Sequence, residues 1–159
     1  FSVVPIPPKH SVMLALHFNS IQEAMLAVNP VMEHPLYTCE LIDKTILDCT
    51  KNHSGYQKNR FFLKNDPKAI LLLELRNQDL NSLKKDLNAL EKTVSEAHLS
   101  YAAVPSAGVE IDLANELEHA GIGLLVNIVG ESKEVACIED PAIPLSIQEV
   151  VKPLFPGSR

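Results

Sequence analysis

The sequence predicts an α+β domain with a ferredoxin-like antiparallel sheet and helices packed mainly on one face. Strand and helix patterns alternate in the order β-α-β-(α)-β-α-β over the first 120 residues. Alternation alone would also allow a parallel α/β sheet. Two further observations favour two split β-α-β units: no glycine-rich phosphate turn follows the first strand, and a long polar segment, residues 53–67, joins the halves.

Length and charge limit the classes of function. A chain of 159 residues suggests one domain with a sizeable core, and its composition, 46% hydrophobic and 21% charged, is that of a globular protein. The net charge of −6 argues against nucleic acid and against a membrane-surface helix, because acids dilute even the Lys84-Lys85 pair. No apolar run approaches the ~20 residues that span a bilayer. Cys39, Cys49 and Cys137, an odd number without close spacing, indicate reduced thiols and a cytoplasmic protein.

The first half begins with a proline-rich arm, residues 1–10, and residues 11–159 are predicted to form the single domain. The apolar run 11–18 is a predicted strand. Ser20 and Glu23 form a capping box, which indicates a helix start. The next elements are a predicted strand over 36–41, a short helix over 42–52 and the polar loop over 53–67.

The second half contains the clearest patterns. Residues 68–76 are apolar at both alternating sets of positions, so both faces of this strand should be covered. A leucine stripe from Leu80 to Ala97 predicts a sheet-packed helix with Asn77 as its N-cap. A strand over 101–105 and a helix over 110–120, broken by Gly121 and Gly123, follow. The last predicted elements are a hairpin formed by 124–129 and 134–139 and a helix that begins at Ser146.

Few side chains carry a recognisable chemical motif. The six histidines are scattered without zinc-ligand spacing, and the lone Gly121-Ile122-Gly123 follows a helix, whereas a phosphate turn opens one. Glu118 and His119 could be an acid-base pair, but consecutive helical residues point ~100° apart and are not expected to face one target. Glu139 and Asp140 end a predicted strand, where neighbours point to opposite faces, so joint catalysis is not expected.

Three segments together resemble a known family. They are VACIEDPAIP at 135–144, ELID at 40–43 and LALHFNSIQEAMLAV at 14–28. In this order they resemble FAD-linked oxidases of the vanillyl-alcohol-oxidase type, in the glycolate oxidase and D-lactate dehydrogenase branch. The resemblance runs from about residue 11 to the end of the chain.

This resemblance implies a cap, or substrate, domain of an FAD-dependent oxidoreductase that acts on a 2-hydroxy acid. The FAD would be held by a separate domain of the same parent chain, and that domain is not in this sequence. The fragment alone is then expected to be inactive, and no residue of this chain is assigned a catalytic or cofactor-binding role. The apolar second face of 68–76 is expected to meet a missing neighbour.

The sequence departs from the family pattern at one helix. Where many members carry a tryptophan and an arginine near the substrate carboxylate, this chain has Asn115 and Glu118. A carboxylate at Glu118 would repel an anionic substrate. Glu118, His119, Glu139 and Asp140 are therefore candidates for the substrate side only. The alternative is a free-standing ferredoxin-like module that binds a small molecule or forms a homodimer through an exposed apolar sheet face.

Overall fold

Residues 6–126 are described by a computed structural model, and their elements follow the order that the sequence patterns predict. Two short 3-10 turns, Ser54–Tyr56 and Lys58–Arg60, lie in the predicted loop. The strands and helices are β1 (His10–Phe18), α1 (Ile21–Val31), β2 (Leu36–Asp43), α2 (Lys44–Cys49), β3 (Ala69–Asn77), α3 (Leu80–Glu96), β4 (Ala102–Ala107) and α4 (Val109–Val126).

The four strands form one antiparallel sheet in the order β2-β3-β1-β4. β1 lies in the middle, with Leu14 opposite Leu73 of β3 on one side and opposite Pro105 of β4 on the other. β2 pairs with the outer side of β3, and its register shifts between Leu36 and Thr38. This is the strand order of two split β-α-β units, so the predicted α+β, ferredoxin-like class is confirmed.

One face of the sheet is covered by α1 and α3. Alternate side chains of β1 and β3, such as Leu14 and Leu73, pack here against Ala24 and Ala27 of α1 and Leu90 of α3, and all of them are buried. Both helices pack on the sheet through the apolar stripes that the sequence shows. Apolar residues at three- and four-residue spacing lie on one side of a helix, and that side is buried.

The opposite face is also covered, by α2, α4 and the 3-10 turns. Its buried residues include Ala15 and Leu72 of the sheet, Phe62 of the loop, and Ala114 and Leu117 of α4. The prediction that both faces of β3 are buried is confirmed. The expectation that the second face meets a missing neighbour is wrong for the described residues, because the chain itself covers it.

Helix starts are set by side chains that accept hydrogen bonds from free backbone amides. Ser20 Oγ accepts from the Glu23 amide at 3.1 Å, and Glu23 Oε2 accepts from the Asn19 amide at 2.9 Å. The predicted N-cap of α3 is wrong: Asp79, not Asn77, accepts from the Ser82 amide, at 2.7 Å. Asn77 Oδ1 instead accepts from the Asp79 amide.

The predicted break at Gly121 and Gly123 is also wrong, because α4 continues through both glycines. Gly121 lies where α4 crosses α2: a Cβ atom there would lie 2.5 Å from Ile46 Cγ2 and 2.9 Å from the Ile46 carbonyl oxygen. The glycine therefore permits a close helix crossing. Since α4 reaches Val126, residues 124–126 are helical and not the start of a hairpin. The remainder of that hairpin and the last helix lie outside the described residues.

No helix within residues 6–126 combines the length and the apolar character that crossing a bilayer requires.

Candidate functional site

Two of the four substrate-side candidates, Glu118 and His119, lie on α4. Glu118 Oε2 is 3.0 Å from His119 Nδ1, and the same nitrogen donates to the Asn115 carbonyl oxygen at 2.8 Å. The Glu118 side chain is 19% exposed and that of His119 is 79% exposed. The two side chains are long enough to meet at the helix surface, and the expectation that they do not face one target together stays a prediction.

This contact changes the proton affinity of His119. The hydrogen bond to the Asn115 carbonyl raises the pKa of His119 above its usual value, and the negative charges of Glu118 and Glu40 act in the same direction. With Nδ1 held by these acceptors, Nε2 is the nitrogen that can exchange a proton with a bound molecule. The pair is thus able to hold a proton on α4, with the Glu118 carboxylate as the counter-charge of the imidazolium.

The other two candidates, Glu139 and Asp140, lie outside the described residues.

A second polar cluster, which the sequence interpretation missed, lies in the sheet. Glu74 of β3 is buried, and its carboxylate accepts from Arg76 Nε at 2.7 Å and from Arg76 Nη2 at 3.2 Å. The Arg76 guanidinium also lies over the Tyr37 ring, 3.9 Å from the ring centroid. Glu74 and Arg76 share the α4 side of the sheet, because residues two apart in a strand point the same way.

The sequence contained a signal for this pair. Glu74 is an acid within a strand that is otherwise apolar, and a buried carboxylate needs a partner. The opposite charge two residues later, on the same face of the strand, is the nearest candidate. The Glu74-Arg76 ion pair therefore makes one end of an otherwise apolar sheet face polar.

Another titratable group, separate from these two pairs, is His17, which is fully buried on β1. Its Nδ1 donates to the Ala102 carbonyl oxygen at 3.2 Å, while Nε2 is buried with no hydrogen-bond partner among residues 6–126. Burial lowers the pKa of His17 below its usual value, and the bond to Ala102 opposes this effect only in part. His17 is therefore held as the neutral imidazole.

This burial predicts an acid sensitivity of stability. The unfolded chain binds a proton at His17 near the ordinary histidine pKa of 6.5, whereas the folded chain binds it only at lower pH. Stability from this group is thus complete above about pH 6.5 and is lost as the pH falls below it, until the folded-state pKa is passed. We expect urea unfolding to show that wild type loses more stability between about pH 7 and 5 than His17→Gln does. Equal losses would contradict this account.

The Cys39 thiol is not a candidate for nucleophilic catalysis. Burial raises the pKa of Cys39 to about 11, so it is a thiol at neutral pH. Cys39 and Cys49 form no disulfide within the described part of the chain. Three or more His, Cys, Asp or Glu side chains do not converge on a possible metal position anywhere in residues 6–126.

A groove of about 340 Å³ lies between α3 and β4. Its lining includes Glu91 of α3, His98 just after that helix, and Ser100 and Tyr101 before β4. The Ser100 hydroxyl is buried, and the described residues give it no hydrogen-bond partner. The groove lies on the α3 side of the sheet edge, remote from the Glu118-His119 pair on α4.

The described glycines do not form a cradle for a dinucleotide. Gly121 is packed against Ile46, and α4 continues through it. Gly108, with a φ of 60°, does precede a helix, but the first turn of that helix carries Glu110 and Asp112. These carboxylates would repel a phosphate group. Neither Gly108 nor Gly121 therefore provides a phosphate-binding turn at a helix start.

The chain matches the model of a known protein family. The family described as "FAD linked oxidases, C-terminal domain" matches residues 7–151, which is most of the chain. No curated protein sequence matches the chain.

Proposed function

Because this chain belongs to the FAD-linked oxidase C-terminal domain family, we propose that it is the cap domain of an FAD-dependent oxidoreductase acting on a 2-hydroxy acid. The parent enzyme would be of the glycolate oxidase and D-lactate dehydrogenase type. In this proposal the FAD is held by another domain of the same parent chain, and this domain covers it and contributes the substrate side.

The family match over residues 7–151 is the observation that carries the proposal. One feature of the fold supports it. The described residues bury both faces of the sheet, so the domain has its own core and can fold as a cap. The flavin, when bound, supplies the hydride chemistry.

On the substrate side, we assign the first role to His119. The pKa of His119 is raised above its usual value, which favours the protonated imidazole, and the Nε2–H of that form can donate a hydrogen bond to the carboxylate of a 2-hydroxy acid. Glu118 positions His119 through the 3.0 Å contact to Nδ1. Glu139 and Asp140 stay candidates for the same side of the cap.

Titration of the 159-residue chain with FAD tests the separate-domain part of the proposal. Flavin fluorescence and polarisation are expected to stay unchanged, and adding a 2-hydroxy acid is expected to cause no flavin reduction. Circular dichroism on the same sample controls for folding. Tight FAD binding by the folded chain would contradict the assignment as a cap that lacks its flavin domain.

A cytoplasmic location is part of the proposal. It rests on the sequence, in which three cysteines without close spacing are typical of reduced thiols in a reducing compartment. The alternative, a free-standing module that forms a homodimer through its sheet, required an exposed apolar sheet face. Within residues 6–126 α1 and α3 cover one face and α2 and α4 the other, so no observation favours that dimer.

A further inference from the structure

Charge is unevenly distributed along this chain. The chain as a whole is acidic, but the connection between β2 and β3 is basic. Residues 44–68 hold six of the 14 Lys and Arg residues but only two of the 20 Asp and Glu residues. This segment has a net charge of +4 in a chain of −6. The other residues, with eight basic and 18 acidic side chains, carry a net charge of −10. Positive charge is thus concentrated in this connection, and the remainder of the chain is acidic.

Three exposed cations of this segment lie outside the ion pairs of residues 6–126. Lys51, Lys58 and Lys64 are exposed, and none of them forms an ion pair within residues 6–126. Lys68 is also exposed, with Asp66 3.6 Å away. These four residues are called the basic surface below. Asp66 lies beside it: its hydrogen bond from Lys44, and then the charges of Lys44, Lys68 and Lys51, lower its pKa.

The backbone that carries the basic surface is held in place by hydrogen bonds. Arg60 Nη1 donates to the Leu47 carbonyl oxygen at 2.6 Å, which ties the second 3-10 turn to α2. Gln57 Nε2 donates to the Lys51 carbonyl oxygen at 2.6 Å. Tyr101 Oη donates to the Lys64 carbonyl oxygen at 2.8 Å, which ties the loop to the start of β4. A fixed backbone reduces the ordering that a partner must impose on this surface.

We propose that the basic surface is a docking site for the acidic face of a protein partner. Complementary charge steers such an encounter and sets its orientation. Four exposed lysines within residues 51–68 are matched by a local group of acids on a partner. Nucleic acid fits less well, because it carries one charge per ~1.7 Å and would extend over the acidic remainder of the chain. This inference concerns a partner of the cap and does not depend on the flavin assignment.

An NMR titration of the 159-residue chain with poly-L-glutamate tests the proposal. We expect amide shifts concentrated in residues 44–68 and binding that weakens as sodium chloride is added, since salt screens exposed charges. The triple variant Lys51→Glu, Lys58→Glu, Lys64→Glu is expected to bind at least about tenfold more weakly. The matched control is Lys84→Glu, Lys85→Glu, Lys92→Glu on α3, which changes the net charge equally and should keep wild-type affinity.

Several outcomes would overturn the proposal. Equal loss in both triple variants would mean that only net charge matters. Single-stranded DNA of the same charge binding more tightly than poly-L-glutamate would assign the surface to nucleic acid. Inorganic phosphate producing the same shifts and displacing poly-L-glutamate would indicate a small-anion site. Concentration-dependent sedimentation of the chain alone, abolished by the first triple variant, would identify a second copy of this chain as the occupant.

Discussion

Replacing Arg76 by Met is expected to lower the free energy of unfolding by about 3–5 kcal/mol, the cost of leaving a buried carboxylate unpaired. The Glu74 side chain is only 4% exposed, and Arg76 supplies both of its short hydrogen bonds. Methionine keeps much of the aliphatic length but donates nothing. Urea unfolding followed by circular dichroism measures the loss at neutral pH.

The double variant Glu74→Met, Arg76→Met is the control for this prediction. Removing both charges leaves no unpaired carboxylate, so the double variant should recover most of the stability that Arg76→Met loses. Losses that simply add would indicate that packing of the arginine on Tyr37 is what matters. If Arg76→Met lowers the free energy of unfolding by less than about 1 kcal/mol, the Glu74-Arg76 pair contributes no more than an ordinary surface ion pair.

Replacing Gly121 by Ala is expected to destabilise the protein by about 1–3 kcal/mol, the usual cost of forcing an extra methyl group into a packed contact. The added Cβ would lie 2.5 Å from Ile46 Cγ2 and 2.9 Å from the Ile46 carbonyl oxygen. Because the second contact is to backbone, a rotamer change at Ile46 cannot relieve it. Thermal and urea unfolding both report this loss.

Gly123→Ala is the matched control, two residues further along the same helix. A Cβ atom at this position meets no other atom of residues 6–126 within 4 Å. Alanine should therefore stabilise the helix by about 0.5–1 kcal/mol, through lower backbone entropy in the unfolded chain. Opposite signs for the two variants are expected. Stabilisation by both would contradict the close crossing of α4 and α2.

The sheet could be predicted because its signals are local. The apolar run of β3 and the leucine stripe of α3 need no knowledge of their neighbours, and both predicted elements are confirmed. Gly121 shows the limit. A glycine after an amphipathic stretch predicts a helix end, but here its role is set by Ile46, 75 positions earlier. Only the tertiary contact shows that the lack of a side chain at Gly121 allows α4 and α2 to pack closely.

The candidate site was predictable only in part. Glu118 and His119 were identified from their residue types, but their contact depends on rotamers that spacing does not specify. The Glu74-Arg76 pair was overlooked because the strand reads as apolar, although the two charges share one face. The basic surface was overlooked because the total charge is negative; charge counted segment by segment would have found it.

The central claim is that this domain is the cap of a flavoenzyme, and the native protein that contains this chain tests it most directly. We expect the intact protein, isolated without denaturation, to show the visible absorption spectrum of a flavin. Anaerobic addition of a 2-hydroxy acid should bleach that spectrum. A native protein that carries no flavin, and gains none when FAD is supplied, would contradict the account.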